Sequence, residues 1–299
     1  MSAVAKQALY LALLVTLTAC NDAKAPVETP VKVEAAPSVA PKAVATVEVE
    51  AAQVLPYLAA QPAPAQFVLP KCSAQHCLAI NINSLSTGDA WFNAWLSARQ
   101  AEVLMLQLQQ DPANLSLQQA VNRYAAASKE WQQQYHQHQA FRLDLDTAVV
   151  YQKNGIVLLQ IQVNSHQAET KVLDRLYFFV ADRNKQQHLP VKQVIAPDYA
   201  KTLQDILNQH YKKWLSTQSD QVKTAAPTQL AWQQGQWFYD QEGIGLHFRA
   251  GQISPTAEQL DVYLNAAQSK RVLKAQLYQI LFHSKSTPEE PNESKNRAA

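Results

Sequence analysis

Apolar and polar positions along the chain switch between two periods, and the switch points outline the elements. Leu78-Ala79-Ile80-Asn81-Ile82 alternates with the two-residue period of a strand. After Gly88-Asp89, the residues Trp91, Phe92, Trp95, Leu96, Val103, Leu104 and Leu108 fall at helical spacing, and Asp111-Pro112 breaks that helix. Ser116 and Gln119 have the spacing of a capping box, and Leu117, Val121, Tyr124, Trp131 and Tyr135 then share one helical face. Phe141 to Leu145 alternates again, and Ala148 to Tyr151 can extend that strand. Gly155 to Val163 and Val172 to Ala181 are two further strands, with Asn154-Gly155 as a hairpin turn. Pro197-Asp198 opens a helix carrying Tyr199, Leu203, Ile206, Leu207, His210, Tyr211 and Trp214. Trp237-Phe238-Tyr239 and Gly245 to Phe248 form a second hairpin, and Ala266 to Phe282 is helical. Strand groups punctuated by helices, with hairpins among the strands, predict an α+β fold built on a mostly antiparallel sheet with packed helices. The stripe residues Trp91, Trp95, Trp131 and Trp214 are expected in its core.

The two ends lack such periodicity. Lys6 followed by the apolar run Ala8 to Leu17 has the layout of a signal peptide, and the run is shorter than the ~20 residues a membrane span needs. It ends in Leu17-Thr18-Ala19-Cys20, which resembles a lipobox. The expectation is cleavage after residue 19 and lipidation of Cys20. One acyl chain binds a membrane only marginally, whereas the triacylated cysteine of a lipoprotein is held permanently. Asn21 occupies the position where Asp tends to retain a lipoprotein in the inner membrane of enteric bacteria. That points to the periplasmic face of the outer membrane, although Asp22 follows immediately. Residues 20–65 are dominated by Ala, Pro, Val and Glu and are expected to form a semi-extended tether. Residues 66–283 form the predicted domain, and 284–299 a polar, disordered tail.

Composition narrows the partners. The formal charge is +2, with both signs scattered along the chain, so a basic patch for nucleic acid is missing. Of three cysteines, lipidation leaves Cys72 and Cys77, which an oxidising compartment is expected to join in a disulfide. The competing arrangement, a metal held by both thiolates and His76, needs a fourth ligand.

The segment Val180-Ala181-Asp182-Arg183-Asn184-Lys185-Gln186-Gln187-His188-Leu189-Pro190 and the helix after it resemble the RsiV-like, PdaC-type domain of bacterial envelope proteins. So do Phe238 to Phe248, Leu260 to Leu264 and Val272-Leu273. The resemblance covers about 70–275 and rests on pattern more than identity. It implies an extracellular α+β domain. In one family context that domain belongs to an anti-sigma factor and binds lysozyme; in another it precedes a peptidoglycan deacetylase domain. Here only the extracellular module is expected, on a lipid tether. The stretches 164–169 and 256–259 depart from the family pattern, so a ligand site shaped by those turns is expected to be altered or absent.

Catalytic motifs for serine hydrolysis, zinc proteolysis or phosphate cradling are not found. His136 and His138, two apart on a helix, point to different sides. His247 alternates with Leu246 and Phe248, so it is expected to face solvent if they face the core. Asp144 and Asp146 share one strand face and have the pairing that acid/base work needs, but a solvated polar face explains them more simply. The expectation is a non-enzymatic envelope lipoprotein without cofactor or metal, binding a periplasmic protein such as lysozyme or cell-wall material. The alternatives are a peptidoglycan-acting enzyme or accessory factor, and a structural lipoprotein.

Overall fold

The structure is a computed structural model and describes residues 55–72, 77–111, 114–134, 141–167 and 170–283. Cys20, His76, His136, His138 and the tail from residue 284 lie outside the described residues.

Two sheets and seven helices make up the described part. The larger sheet has the order β1 (Ala60–Pro64), β2 (Ala79–Thr87), β3 (Arg142–Lys153), β4 (Ile156–Gln167), β5 (Thr170–Asp182) and β6 (Gln187–His188). All its pairings are antiparallel except β2 with β3. That parallel pair requires a crossover, supplied by α1 (Ala90–Gln107) and α2 (Leu117–Gln134). The chain continues through α3 (Val191–Val194), α4 (Ala200–Thr217) and α5 (Asp220–Ala225). It then forms a three-stranded antiparallel sheet of β7 (Gln236–Tyr239), β8 (Gly243–Phe248) and β9 (Leu260–Asn265). It closes with α6 (Ala266–Val272) and α7 (Ala275–Phe282). The single closing helix read from the sequence is therefore two, and the carbonyl of Lys274 starts the second by accepting from the Tyr278 N–H at 3.0 Å.

Strand β4 shows how the core is divided. Val157, Leu159, Ile161 and Val163 pack with Phe92, Leu104 and Tyr124 of α1 and α2. Ile156 and Leu158 point the other way, into a second cluster with Leu203 and Leu207 of α4 and Leu246 and Phe248 of β8. A strand buried on both faces needs no polar alternation, which explains the nearly continuous apolar run. The hairpin before it turns at Asn154 and Gly155, with φ of 51° and 80°. Positive φ at both central residues is what a type I′ turn demands. The capping box of α2 forms as expected: the Gln119 N–H donates to Ser116 Oγ at 3.2 Å, and the Ser116 N–H to Gln119 Oε1 at 2.9 Å.

The folded unit starts earlier than residue 66. Leu55 to Ala65 were expected in the tether, yet Leu58 is buried and Ala60–Pro64 pair with β2. Ala-Gln-Pro-Ala-Pro has neither alternation nor β-branched residues. It serves as a strand because it lies at a sheet edge, where prolines lose no ladder partner. Cys72 and Cys77 are joined in a disulfide. Among the described residues, no helix is long and apolar enough to cross a membrane.

Candidate functional site

A concavity with converging polar groups lies where Leu55–Ala59 runs past the start of α1. Asp89 caps that helix, its Oδ1 accepting the Phe92 N–H at 3.0 Å. Its Oδ2 accepts from Arg183 Nε at 2.8 Å. Burial by itself raises the pKa of Asp89, but the Phe92 N–H and the Arg183 guanidinium outweigh it and hold the carboxyl below its ordinary value. Arg183 sits just after β5, and its Nη1 donates to the Pro56 carbonyl at 2.9 Å. The carboxylate thus fixes the guanidinium, and the guanidinium fixes the incoming chain. A second clamp acts two residues on: the Leu58 N–H donates to Gln152 Oε1 at 2.9 Å, and Gln152 Nε2 donates to the Leu58 carbonyl at 3.0 Å.

The result is a cleft of about 600 Å³ lined by Leu55, Tyr57, Asp89, Trp91, Arg183 and Gln186, among others. Tyr57 is 46% exposed, and Trp91 stacks on Trp95 with ring centroids 6.2 Å apart. Beyond Trp95, at 6.0 Å, lies the imidazole of His188. Its Nδ1 is 3.1 Å from the Val180 carbonyl, and burial, helped by the charge of Arg99, depresses its pKa to about 4.

The residues singled out in the sequence fall elsewhere. Asp144 and Asp146 do share a face of β3, but each is held from β2: Asn81 Nδ2 donates to Asp144 at 2.7 Å and Asn83 Nδ2 to Asp146 at 2.6 Å. The parallel register makes a ladder of amide–carboxylate rungs. Burial raises the pKa of Asp144, but the bonds from Arg142 and Asn81 prevail and lower it.

His247 does not face solvent, contrary to the alternation argument. Its side chain is 1% exposed, because all six residues of β8 are buried. One face of β8 meets the helices, while Leu176 and Phe178 of β5 cover the other. His247 Nε2 lies 3.2 Å from the Leu176 carbonyl, Nδ1 lies 2.6 Å from Asp261 Oδ1, and the Phe178 ring meets the imidazole edge-on. An imidazole sealed in this way joins two sheets and is out of reach of a substrate. Among the described residues, no group of three or more His, Cys, Asp or Glu side chains is placed to hold a metal.

Asn164 and Ala257, one from each of the two stretches singled out in the sequence, are each tied to a neighbour at this end of the sheet. Asn164 Oδ1 accepts the Asp174 N–H at 2.9 Å at a bulge in β5, and the Ala257 carbonyl accepts the Gly251 N–H at 2.9 Å. A methyl at position 251 would stand 3.2 Å from Arg175 Nη2, so the bulge and the β8–β9 loop adjoin.

No family model matches the chain, and no curated protein does. Solved structures do. A DUF3298 family protein from Pseudomonas aeruginosa PAO1 superposes with a TM-score of 0.53 at 16% identity, over 77% of this chain and 99% of that one. A DUF3298 member from Bacteroides fragilis NCTC 9343 gives 0.50 at 12% identity, over 75% and 96%. The likeness is one of fold. It bears out the α+β class and extends over nearly the whole of both neighbours.

Tyr57 and Arg183 were not picked out as site residues by sequence reasoning. Tyr57 lies in the apolar Leu-Pro-Tyr-Leu run at the end of the Ala/Pro stretch, which was the available signal. Arg183 lies inside the family-like segment, but a lone arginine after a strand says nothing of a partner at residue 89.

Proposed function

We propose that this chain is an envelope lipoprotein of RsiV-like type, anchored through Cys20 at the periplasmic face of the outer membrane. Its domain binds cell-wall glycan without chemical turnover. The observation that carries the reading is the Tyr57–Trp91 cleft. Its volume falls in the range of small-ligand sites, about 300–1,000 Å³. Two aromatic rings offer flat apolar surface for the C–H faces of a pyranose, while Asp89, Arg183 and Gln186 supply polar groups for its hydroxyls. Asp89 and Arg183 are fixed before a ligand arrives, which lowers the ordering cost of binding.

Lysozyme is the weaker candidate. It is strongly basic, and a chain of formal charge +2 has no acidic surplus to steer it. The enzymatic alternative loses its best base with the burial of His247.

Titration of the full-length protein with purified soluble muropeptides, followed by tryptophan fluorescence and calorimetry, tests the reading. Saturable binding that falls about tenfold or more in Trp91→Ala and Tyr57→Ala is expected. Unchanged affinity in both variants overturns it. Anchoring is tested separately: Cys20→Ser is expected to abolish palmitate incorporation, and incorporation that persists in this variant overturns the anchor.

A further inference from the structure

The second cluster of interest lies at the meeting place of the bulge and the β8–β9 loop. The register of β4 with β5 shifts beside Asn164, and Asp174 adopts a φ of 51°. Bulges of this kind re-aim the side chains next to them. Asp174 accepts a bond from Gln162 Nε2 at 2.6 Å, so its carboxylate is engaged on β4. Arg175, the next residue, donates from Nη1 to Gln107 Oε1 at 3.3 Å, and Gln107 Nε2 donates to the Tyr177 hydroxyl at 2.7 Å. Over the ring of the same Tyr177, 5.5 Å from its centroid, lies the guanidinium of Arg249. Arg249 donates to Gln252 Oε1 at 3.1 Å. Gly251, with a φ of 75°, turns the loop back so that it meets Arg175 Nη2.

Two guanidinium groups are therefore gathered around one tyrosine and held by neutral amide oxygens. Among the described residues, neither forms an ion pair. Arg175 Nε is moreover buried and has no hydrogen-bond partner. A charged donor withdrawn from water and left unsatisfied is unfavourable unless something supplies the acceptor. Forked N–H groups match the oxygens of a phosphate or carboxylate. Two positive charges favour the dianion: a phosphate monoester carries about −1.5 to −2 at neutral pH, a carboxylate only one charge.

We propose that Arg175 and Arg249, gathered about the buried Tyr177, form a binding site for a phosphate group, separate from the glycan cleft and not dependent on it. Inorganic phosphate and a lipid phosphate headgroup present the same chemistry. The experiment uses the full-length Cys20→Ser chain, which cannot be acylated, at low ionic strength.

One arm titrates inorganic phosphate by calorimetry and thermal melting. The other sediments vesicles of phosphatidylcholine with and without phosphatidic acid. The expected result is saturable phosphate binding, or co-sedimentation that requires phosphatidic acid, weakened about tenfold in both Arg175→Gln and Arg249→Gln. Arg175→Lys, which keeps the charge but not the fork, is expected to retain part of the affinity. A response in the phosphate arm alone assigns a soluble phosphate, and one in the vesicle arm alone assigns a lipid headgroup; either supports the site. Circular dichroism identifies variants that fail to fold, and for those the Lys variant decides. Silence in both arms from the folded parent overturns the proposal, and so does a response that Arg175→Gln and Arg249→Gln leave unchanged.

Discussion

Arg183 Nε and Asp89 Oδ2 meet at 2.8 Å, joining the end of β5 to the start of α1 across 94 residues of sequence. The side chain of Arg183 is 6% exposed and that of Asp89 18%. One carboxylate therefore caps a helix, neutralises a buried cation and, through that cation, holds the Pro56 carbonyl at the wall of the cleft.

Replacing Asp89 separates these roles. Asp89→Ala loses the cap, about 1 kcal/mol, and leaves Arg183 buried without its counter-ion, so a total near 3–5 kcal/mol is expected in urea unfolding. Asp89→Asn keeps a capping oxygen and is expected to be the milder variant by about 1 kcal/mol. The acid limb adds an independent check. The folded-state pKa of Asp89 lies below its ordinary 3.8, so its contribution is complete above that value and is lost as the pH falls through the folded pKa. Asp89→Asn should flatten that part of the stability curve. An unaltered acid limb would show that the pair with Arg183 does not stabilise the fold.

His188 titrates in a different window. Its folded-state pKa is depressed to about 4 from 6.5, chiefly by burial. Between those values the unfolded chain takes up a proton that the folded ring refuses. Stability therefore falls as the pH drops from 6.5 towards 4, by on the order of 2–3 kcal/mol, and is independent of this group above 6.5. His188→Gln should remove the slope between pH 6.5 and 4 and leave the Asp89 limb in place. Nuclear magnetic resonance titration of the ring carbon protons measures the same shift directly.

Much of the fold was legible because local chemistry and tertiary role agree. The capping box at Ser116 and Gln119, the Asn154-Gly155 turn and the alternation of β3 each need only their own neighbours to be read. The failures share a cause. Alternation places a residue on the face opposite its neighbour but does not say whether that face is covered. The alternation that turns His247 away from Leu246 and Phe248 turns it towards β5, not towards solvent. Residues 60–64 form a strand by pairing with β2, and nothing in Ala-Gln-Pro-Ala-Pro announces that partner. The two candidate sites depend on pairs far apart in sequence, Asp89 with Arg183 and Tyr177 with Arg249. For such pairs a single sequence carries the residue types but not their meeting.

The glycines of β8 give a test of how tightly the second sheet is packed. A methyl at Gly243 would run into the backbone carbonyl of Leu264, and one at Gly245 into the Phe238 ring across the strand pair. Backbone cannot step aside, whereas a ring can be removed. Gly243→Ala is expected to destabilise by about 3 kcal/mol whatever its background. Gly245→Ala is expected to cost about 1–3 kcal/mol alone, and about 1 kcal/mol less when combined with Phe238→Ala than the sum of the two single variants. Chemical denaturation of the four chains closes the cycle. Strict additivity would mean that Phe238 does not occupy the space over Gly245.

The Gln152 clamp decides whether Leu55–Ala59 works as a wall of the cleft or only rests there. Its amide makes both hydrogen bonds that a neighbouring strand would make to Leu58. Gln152→Ala removes the pair and should cost about 1–2 kcal/mol. The loss should be local, because Leu58 lies close to the start of the folded unit, where segments open without global unfolding. Hydrogen exchange at the Leu58 amide is expected to accelerate far more than exchange in β4. Muropeptide affinity should fall several-fold although Trp91 and Arg183 are intact, since binding must then also order the freed segment. If the Leu58 amide loses its protection while affinity holds, the wall is dispensable and the glycan reading must rest on Trp91 and Arg183 alone.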